Sequence, residues 1–129
     1  MDRNETCTIV LPLPGRILSP NYPAGSAGSR IAKAMATKKY RRQAREATEA
    51  EGIESETWEQ VEMQATFFHK DRRRRDGVNF NASLKAAQDG IVDAGLVIDD
   101  DAESWKTLPP IFKLDKDWPR VEIVIERIK

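Results

Sequence analysis

The chain holds one cysteine and one histidine in 129 residues, aromatic side chains make up 7% of it, and its formal net charge is zero. A lone Cys7 cannot close an internal disulfide and has no thiol partners for a zinc cluster, which sets aside disulfide scaffolds and Cys-ligated zinc. It reads instead as a small buried hydrophobe in a first strand. No window approaches the ~18 uninterrupted apolar residues of a membrane helix, and the opening MDRNETCTIV lacks the basic-then-apolar order of a secretion signal. The expectation is a cytoplasmic protein with no membrane partner. A chain of this length forms one domain, here residues 1–129, with room for a real core but not for a second one.

The zero net charge hides a segregation. Residues 30–45 carry seven Lys/Arg and no acid, and residues 46–62 carry seven acids and no base. Residues 70–75 then hold five cations and one acid, and residues 89–103 six acids and no cation. Overall charge therefore says nothing about partners, while the blocks can. Each block alone also fits a solvated face screened by its neighbours.

Apolar periodicity supplies the elements. Cys7, Ile9 and Leu11 alternate as in a strand stopped by Pro12 and Pro14. Residues 19–29 are rich in Ser, Pro and Gly and read as a loop. Residues 30–51 are Ala-, Lys- and Arg-rich and predict a long helix ended by Gly52. Its acidic second half opposes the helix macrodipole, so helix stability alone does not account for it. Val61, Met63, Ala65 and Phe67 alternate as in a strand with one face in the core. Phe80, Leu84, Ala87, Ile91 and Ala94 recur at helical spacing, with Asn79 as N-cap and Gly95 just past the end. TLPPIFKL predicts an edge strand, and Val121, Ile123 and Ile125 alternate in a last one. The predicted fold is α/β in content, an α+β sandwich of one mixed sheet with two principal helices packed on it.

Candidate chemistry gathers around the second helix. Asp76 follows the run Arg72, Arg73, Arg74, Arg75 at a strand-to-helix junction, and Asp99, Asp100 and Asp101 follow the helix. A helix of about 15 residues spans roughly 22 Å, so its ends meet only if residues 96–98 run back along it as a strand. Converging carboxylates bind Mg²⁺ through hard oxygens, and the ion can activate water against a phosphodiester. Guanidinium forks match phosphate, although alternation in an extended chain lets about two of the four arginines share one face. The plainer reading of three aspartates after a helix is a solvated turn. His69 reads as a hydrogen-bonded structural residue rather than a base. The three tryptophans read as core or interface side chains, with base stacking as the other use.

The string RRRRDGVNF…LKAAQDGIVDAGLVIDDD resembles the core of RusA-type Holliday junction resolvases, which carry a basic run, Asp-x-Asp-Asn, a helix lysine and Asp-Asp after an Ala-Gly turn. LPLPGRILSPN, ATKKYRRQA and PRVEIVIE resemble that family's first strand and loop, first helix and last strand. The resemblance implies a bacterial or prophage homodimer that binds four-way DNA junctions and nicks two strands symmetrically with Mg²⁺, or Mn²⁺ in its place. Matched position by position, Asp76 and Asp100 are the catalytic acids, Asp76, Asp99 and Asp100 the metal ligands, and Lys85 the catalytic lysine. Asn79 is the motif asparagine, a water-orienting group or a helix cap. Arg72 to Arg75 would hold DNA, as would Lys38, Lys39, Arg41 and Arg42 on the first helix. Val78 departs from the family, standing where its second aspartate does. That leaves two expectations: cleavage with Asp99 or Asp101 compensating, or a weakened member that binds branched DNA without efficient cutting.

Overall fold

The structure, a computed structural model, describes residues 5–52, 56–72 and 77–129, and for 77–79 the backbone alone. One mixed five-stranded sheet carries two main helical segments on one face, an α+β arrangement. The strand order is β1 (Thr6–Leu11), β5 (Arg120–Arg127), β2 (Val61–His69) and β3 (Trp105–Thr107), with β4 (Ile111–Leu114) also beside β2. β5 runs antiparallel to both β1 and β2, and β3 and β4 run parallel to β2.

The core follows from period-two alternation. Cys7, Ile9 and Leu11, Val61, Met63, Ala65 and Phe67, and Val121, Ile123 and Ile125 are all buried, while the intervening residues are half-buried or exposed. Register lines the three sets up, with Ile123 between Ile9 and Ala65. Trp58 and Trp105 are buried in the same core. Burial pushes the Cys7 thiol up to about 11, with Glu51 adding to the effect.

α1 (Ala27–Ala50) begins three residues before the predicted start, inside the Ser/Gly-rich stretch expected to be loop. Ser26 and Ser29 cap it reciprocally, each hydroxyl accepting from the other's backbone N–H at 3.1 Å. Gly52, at φ +64°, ends it as predicted. Tyr40 is buried on the inner face, and its hydroxyl donates to the Pro12 carbonyl at 2.8 Å.

The second predicted helix is broken into α2 (Gly77–Ala82) and α3 (Lys85–Asp93). Asn79 therefore lies inside α2 and is not the residue before a helix, which corrects its assignment as a cap. At the break, the Asn81 amide donates to the Leu108 carbonyl at 3.1 Å, and the Leu84 N–H tightens onto the Asn81 carbonyl at 3.0 Å. A tertiary bond thus overrides the helical spacing. Gly95, at φ +87°, closes α3 as predicted. Residues 96–98 do not run as a strand of the sheet; Val97 makes a single parallel bridge to Trp58. Among the described residues no helix is long and apolar enough to cross a membrane.

α1 and α3 meet at Gly90, where a Cβ would lie 2.2 Å from the Arg41 carbonyl oxygen and 2.9 Å from the Ala44 Cβ. Backbone cannot yield as a flexible side chain can. Gly90→Ala should lose about 1–3 kcal/mol of stability in urea denaturation, despite alanine's better helix propensity. Gly28→Ala in α1, where a Cβ meets nothing within 4 Å, should instead gain about 0.5–1 kcal/mol. The Cys7 thiol should stay unreactive toward an aromatic disulfide reagent at pH 8 and react fully once urea unfolds the chain; rapid native labelling would contradict its burial.

Candidate functional site

Lys85 opens α3 and Asp89 lies one turn on, so an i, i+4 pair forms with Nζ donating to Asp89 Oδ1 at 3.0 Å. The same ammonium donates to Asp100 Oδ2 from the segment after α3. The chain after α3 thus returns to the start of that helix, through the Val97 bridge and the turn beyond it. The Asp100 bond, with Asp89 behind it, raises the Lys85 pKa. Lys85 is well exposed while Asp100 is largely covered, at 63% and 14% of their side-chain surfaces. A flexible ammonium in that position can leave its carboxylates for an incoming phosphate.

The three aspartates have different roles. The Asp99 Oδ1 accepts from the Asp100 N–H at 2.7 Å. The Asp101 Oδ1 accepts the N–H groups of Glu103 at 3.1 Å and Ser104 at 2.8 Å, an Asx turn leading into β3. The Ser104 N–H is the main cause that lowers the Asp101 pKa. Asp101 is thus a turn residue, and the plainer reading of the cluster holds for it.

A second ion pair flanks the first. The Arg41 Nε and Nη2 donate to the two oxygens of Asp93 at 2.5 and 2.8 Å, a bidentate fork across α1 and α3. The fork lowers the Asp93 carboxyl and raises Arg41. Arg41, expected as a DNA contact, is therefore tied to Asp93, while Lys38, Lys39 and Arg42 are exposed with no ion pair among the described residues.

Arg72 is exposed; Arg73, Arg74, Arg75 and Asp76 lie outside the described residues. Val78 and Asn79 are helical in backbone, and their side chains are not described. His69 is buried with its ring against Phe67, Phe80 and Phe112 at centroid distances of 6.3, 5.2 and 6.0 Å. That is a structural setting, as expected. Trp58 and Trp105 belong to the core, whereas Trp118 is 57% exposed.

For a metal, the described donor set is small. Among the described residues no group of three or more His, Cys, Asp or Glu side chains is gathered to hold an ion. Asp99 and Asp100 are adjacent hard-oxygen donors of the kind Mg²⁺ accepts while keeping several waters, so the chemistry fits with two ligands. Sequence reasoning passed over Asp89 and Asp93. The first was signalled by its i, i+4 spacing from Lys85, whereas a pair 52 residues apart such as Arg41 and Asp93 leaves no local signal.

Compared with models of known protein families and with curated proteins, the chain finds no match.

The Arg41–Asp93 fork makes a pH prediction. A carboxyl lowered on folding stabilises fully above the ordinary range near ~3.9, and that contribution is lost as pH falls through its lower folded value. Asp93→Asn should lower the urea midpoint at pH 7, within the ~0.2–1 kcal/mol of a partly exposed pair. The gap from the native protein should close toward pH ~2. A gap unchanged by pH would mean that the charge on Asp93 contributes nothing.

Proposed function

We propose that the protein is a Mg²⁺-dependent, structure-selective endodeoxyribonuclease of the RusA type, which binds four-way DNA junctions as a homodimer and nicks two strands. The observation that carries this reading is the meeting of Lys85 with Asp100, fifteen residues apart. These are two of the residues that the motif resemblance pairs in one site, and they come together by a route that the sequence did not suggest. Mg²⁺ supplies charge neutralisation of the phosphoryl group and lowers the pKa of water.

The chain's own groups do the rest. Asp100 and Asp99, with Asp76, would hold the ion. Lys85 moves its ammonium from the carboxylates onto the phosphodiester and stabilises charge that develops there. Lys38, Lys39 and Arg42 track the phosphates of a DNA arm, together with Arg72 to Arg75.

A second reading, a branched-DNA binder that cuts poorly, is favoured by Val78 and by the Lys85 ammonium lying on Asp100. A missing carboxylate and a resident cation both weaken the hold on a divalent ion.

The test is incubation of a synthetic four-way junction with the protein in Mg²⁺ or Mn²⁺. Paired nicks are expected, with binding that falls steeply as salt rises. Lys85→Met should slow nicking roughly 100-fold while binding persists, and Asp100→Asn should abolish it. Junction binding without nicks in either metal, at any salt that permits binding, would sink the nuclease claim. In that case, a large gain of cleavage in Val78→Asp would establish the second reading.

A further inference from the structure

The turn between β4 and β5 holds an aromatic side chain in an unusual state, exposed and yet fixed. Asp115 organises the turn by accepting the N–H groups of Asp117 and Trp118, both at 3.1 Å on Oδ1. The Arg120 guanidinium then lies between two rings, 3.8 Å from the Phe68 centroid and 4.1 Å from that of Trp118. It is held there by Asp115 Oδ2 and Glu122 Oε2, each at 2.8 Å, and it also donates to the Trp118 carbonyl at 2.9 Å. Only 11% of the Arg120 side chain is exposed. One face of the Trp118 indole is thus covered by a clamped cation, while 57% of the residue remains open to solvent.

Single exposed apolar residues are ordinary on protein surfaces. Trp118 differs because its conformation is already paid for by the cation–π stack and the Asp115 turn, so a planar ligand on its open face loses little further entropy in ordering it. The charges around it select the ligand. Asp115 and Glu122 are hydrogen-bonded by Arg120, and Lys113, Lys116 and Asp117 are exposed nearby, so these six charges sum to zero while two of the three exposed ones are lysines. Lys113 and Arg120 flank Phe68 in register across three strands, so the cations lie in a row on the open face of the sheet. The Asp115 N–H donates to the His69 carbonyl at 2.8 Å, which ties this turn to the end of β2, where exposed Lys70 and Arg72 follow. A purely apolar protein partner has no use for such cations, whereas a nucleobase attached to phosphates uses both the ring and the charges.

We propose that Trp118, backed by Arg120 and flanked by Lys113 and Lys116, is a stacking platform for an unpaired base of single-stranded DNA. The assignment rests on the reading that the partner is DNA, and it adds where an opened strand is held, on the sheet face opposite the helices. Every nucleobase offers a π-face, so the platform discriminates unpaired from paired DNA and not one base from another.

The test uses the protein's own fluorescence. Trp58 and Trp105 are buried, so a change in emission on binding reports Trp118. Titration of the full chain with a short oligothymidylate should quench the emission, and a fully paired duplex should not. Trp118→Ala should bind the oligothymidylate roughly tenfold more weakly, with Trp118→Phe restoring most of the affinity and duplex binding unchanged in both. Wild-type affinity of Trp118→Ala for the oligothymidylate, while junction and duplex still bind with steep salt dependence, would overturn the platform and leave the DNA reading standing. Binding to no DNA of any form would remove both. Loss of self-association in Trp118→Ala by sedimentation, with DNA affinity unchanged, would assign the surface to a second copy and overturn the platform.

Discussion

The closeness of α1 and α3 at Gly90 is the constraint on which the charged surface depends. Because residue 90 has no side chain, the Arg41 carbonyl and Ala44 come into direct contact with the α3 backbone. Ala44, Ala86 and Ala87 are buried at the same seam, so small residues on both helices let the backbones approach. Asp93 lies one turn beyond Gly90 and Asp89 just before it. The approach that joins the helices therefore also sets the basic middle of α1 beside the acidic row of α3. Arg41 is taken up by Asp93, while Lys38, Lys39 and Arg42 are left outward. A wider helix separation would lose the fork and change which cations are free.

β2 organises the sheet in a comparable way. Its alternation sends Phe67 and His69 inward against Phe80 and Phe112, and sends Phe68 outward against Arg120. The inner cluster fixes α2 and β4 at the end of the strand, and the outer one fixes the turn before β5. Both surfaces at that end, one facing the helices and one facing solvent, are thus built from three consecutive residues of one strand. Pairing with β5 on one side and β3 and β4 on the other leaves β2 no freedom of register.

Legibility from sequence followed the range of the interactions. β1, β2 and β5 were readable because alternation is local and the buried face is continuous, and Gly52 and Gly95 were readable because positive φ has a residue preference. The start of α1 was missed because the Ser26–Ser29 capping pair looks like loop composition. The break between α2 and α3 was missed because the partner of Asn81 is 27 residues away. β3, three residues long, carries too few side chains to show a period. At the candidate site, Lys85 and Asp100 were named from motif likeness, while the strand over residues 96–98 was expected in order to return the aspartate cluster to Asp76, which lies outside the described residues. Lys85 and Asp100 meet through one bridge and a turn instead. The plainer reading of the aspartate cluster proved right for Asp101, whose Asx turn is a local pattern.

The charge distribution near Lys85 bears on how a nucleic acid could approach it. Asp89, Asp99, Asp100 and Asp101 place four carboxylates around or beside one ammonium, whereas Arg41 and Asp93 cancel each other. The described surface there is net negative, and a phosphodiester meets repulsion until a cation is interposed. At separations of a few ångströms this repulsion is screened little by salt, whose Debye length is about 8 Å at physiological strength. In the proposed reading, neutralisation must precede contact: Asp99 and Asp100 would hold a divalent ion that supplies it, and Lys85 would turn its ammonium from Asp100 toward the phosphate. In the same reading the outward cations Lys38, Lys39 and Arg42 would act at longer range, drawing DNA to the molecule without offsetting a carboxylate at contact distance. In that reading, binding at a distance and engagement at the site would be separable steps. The first would be governed by the surface of α1, and the second by whether the Lys85 ammonium leaves Asp100.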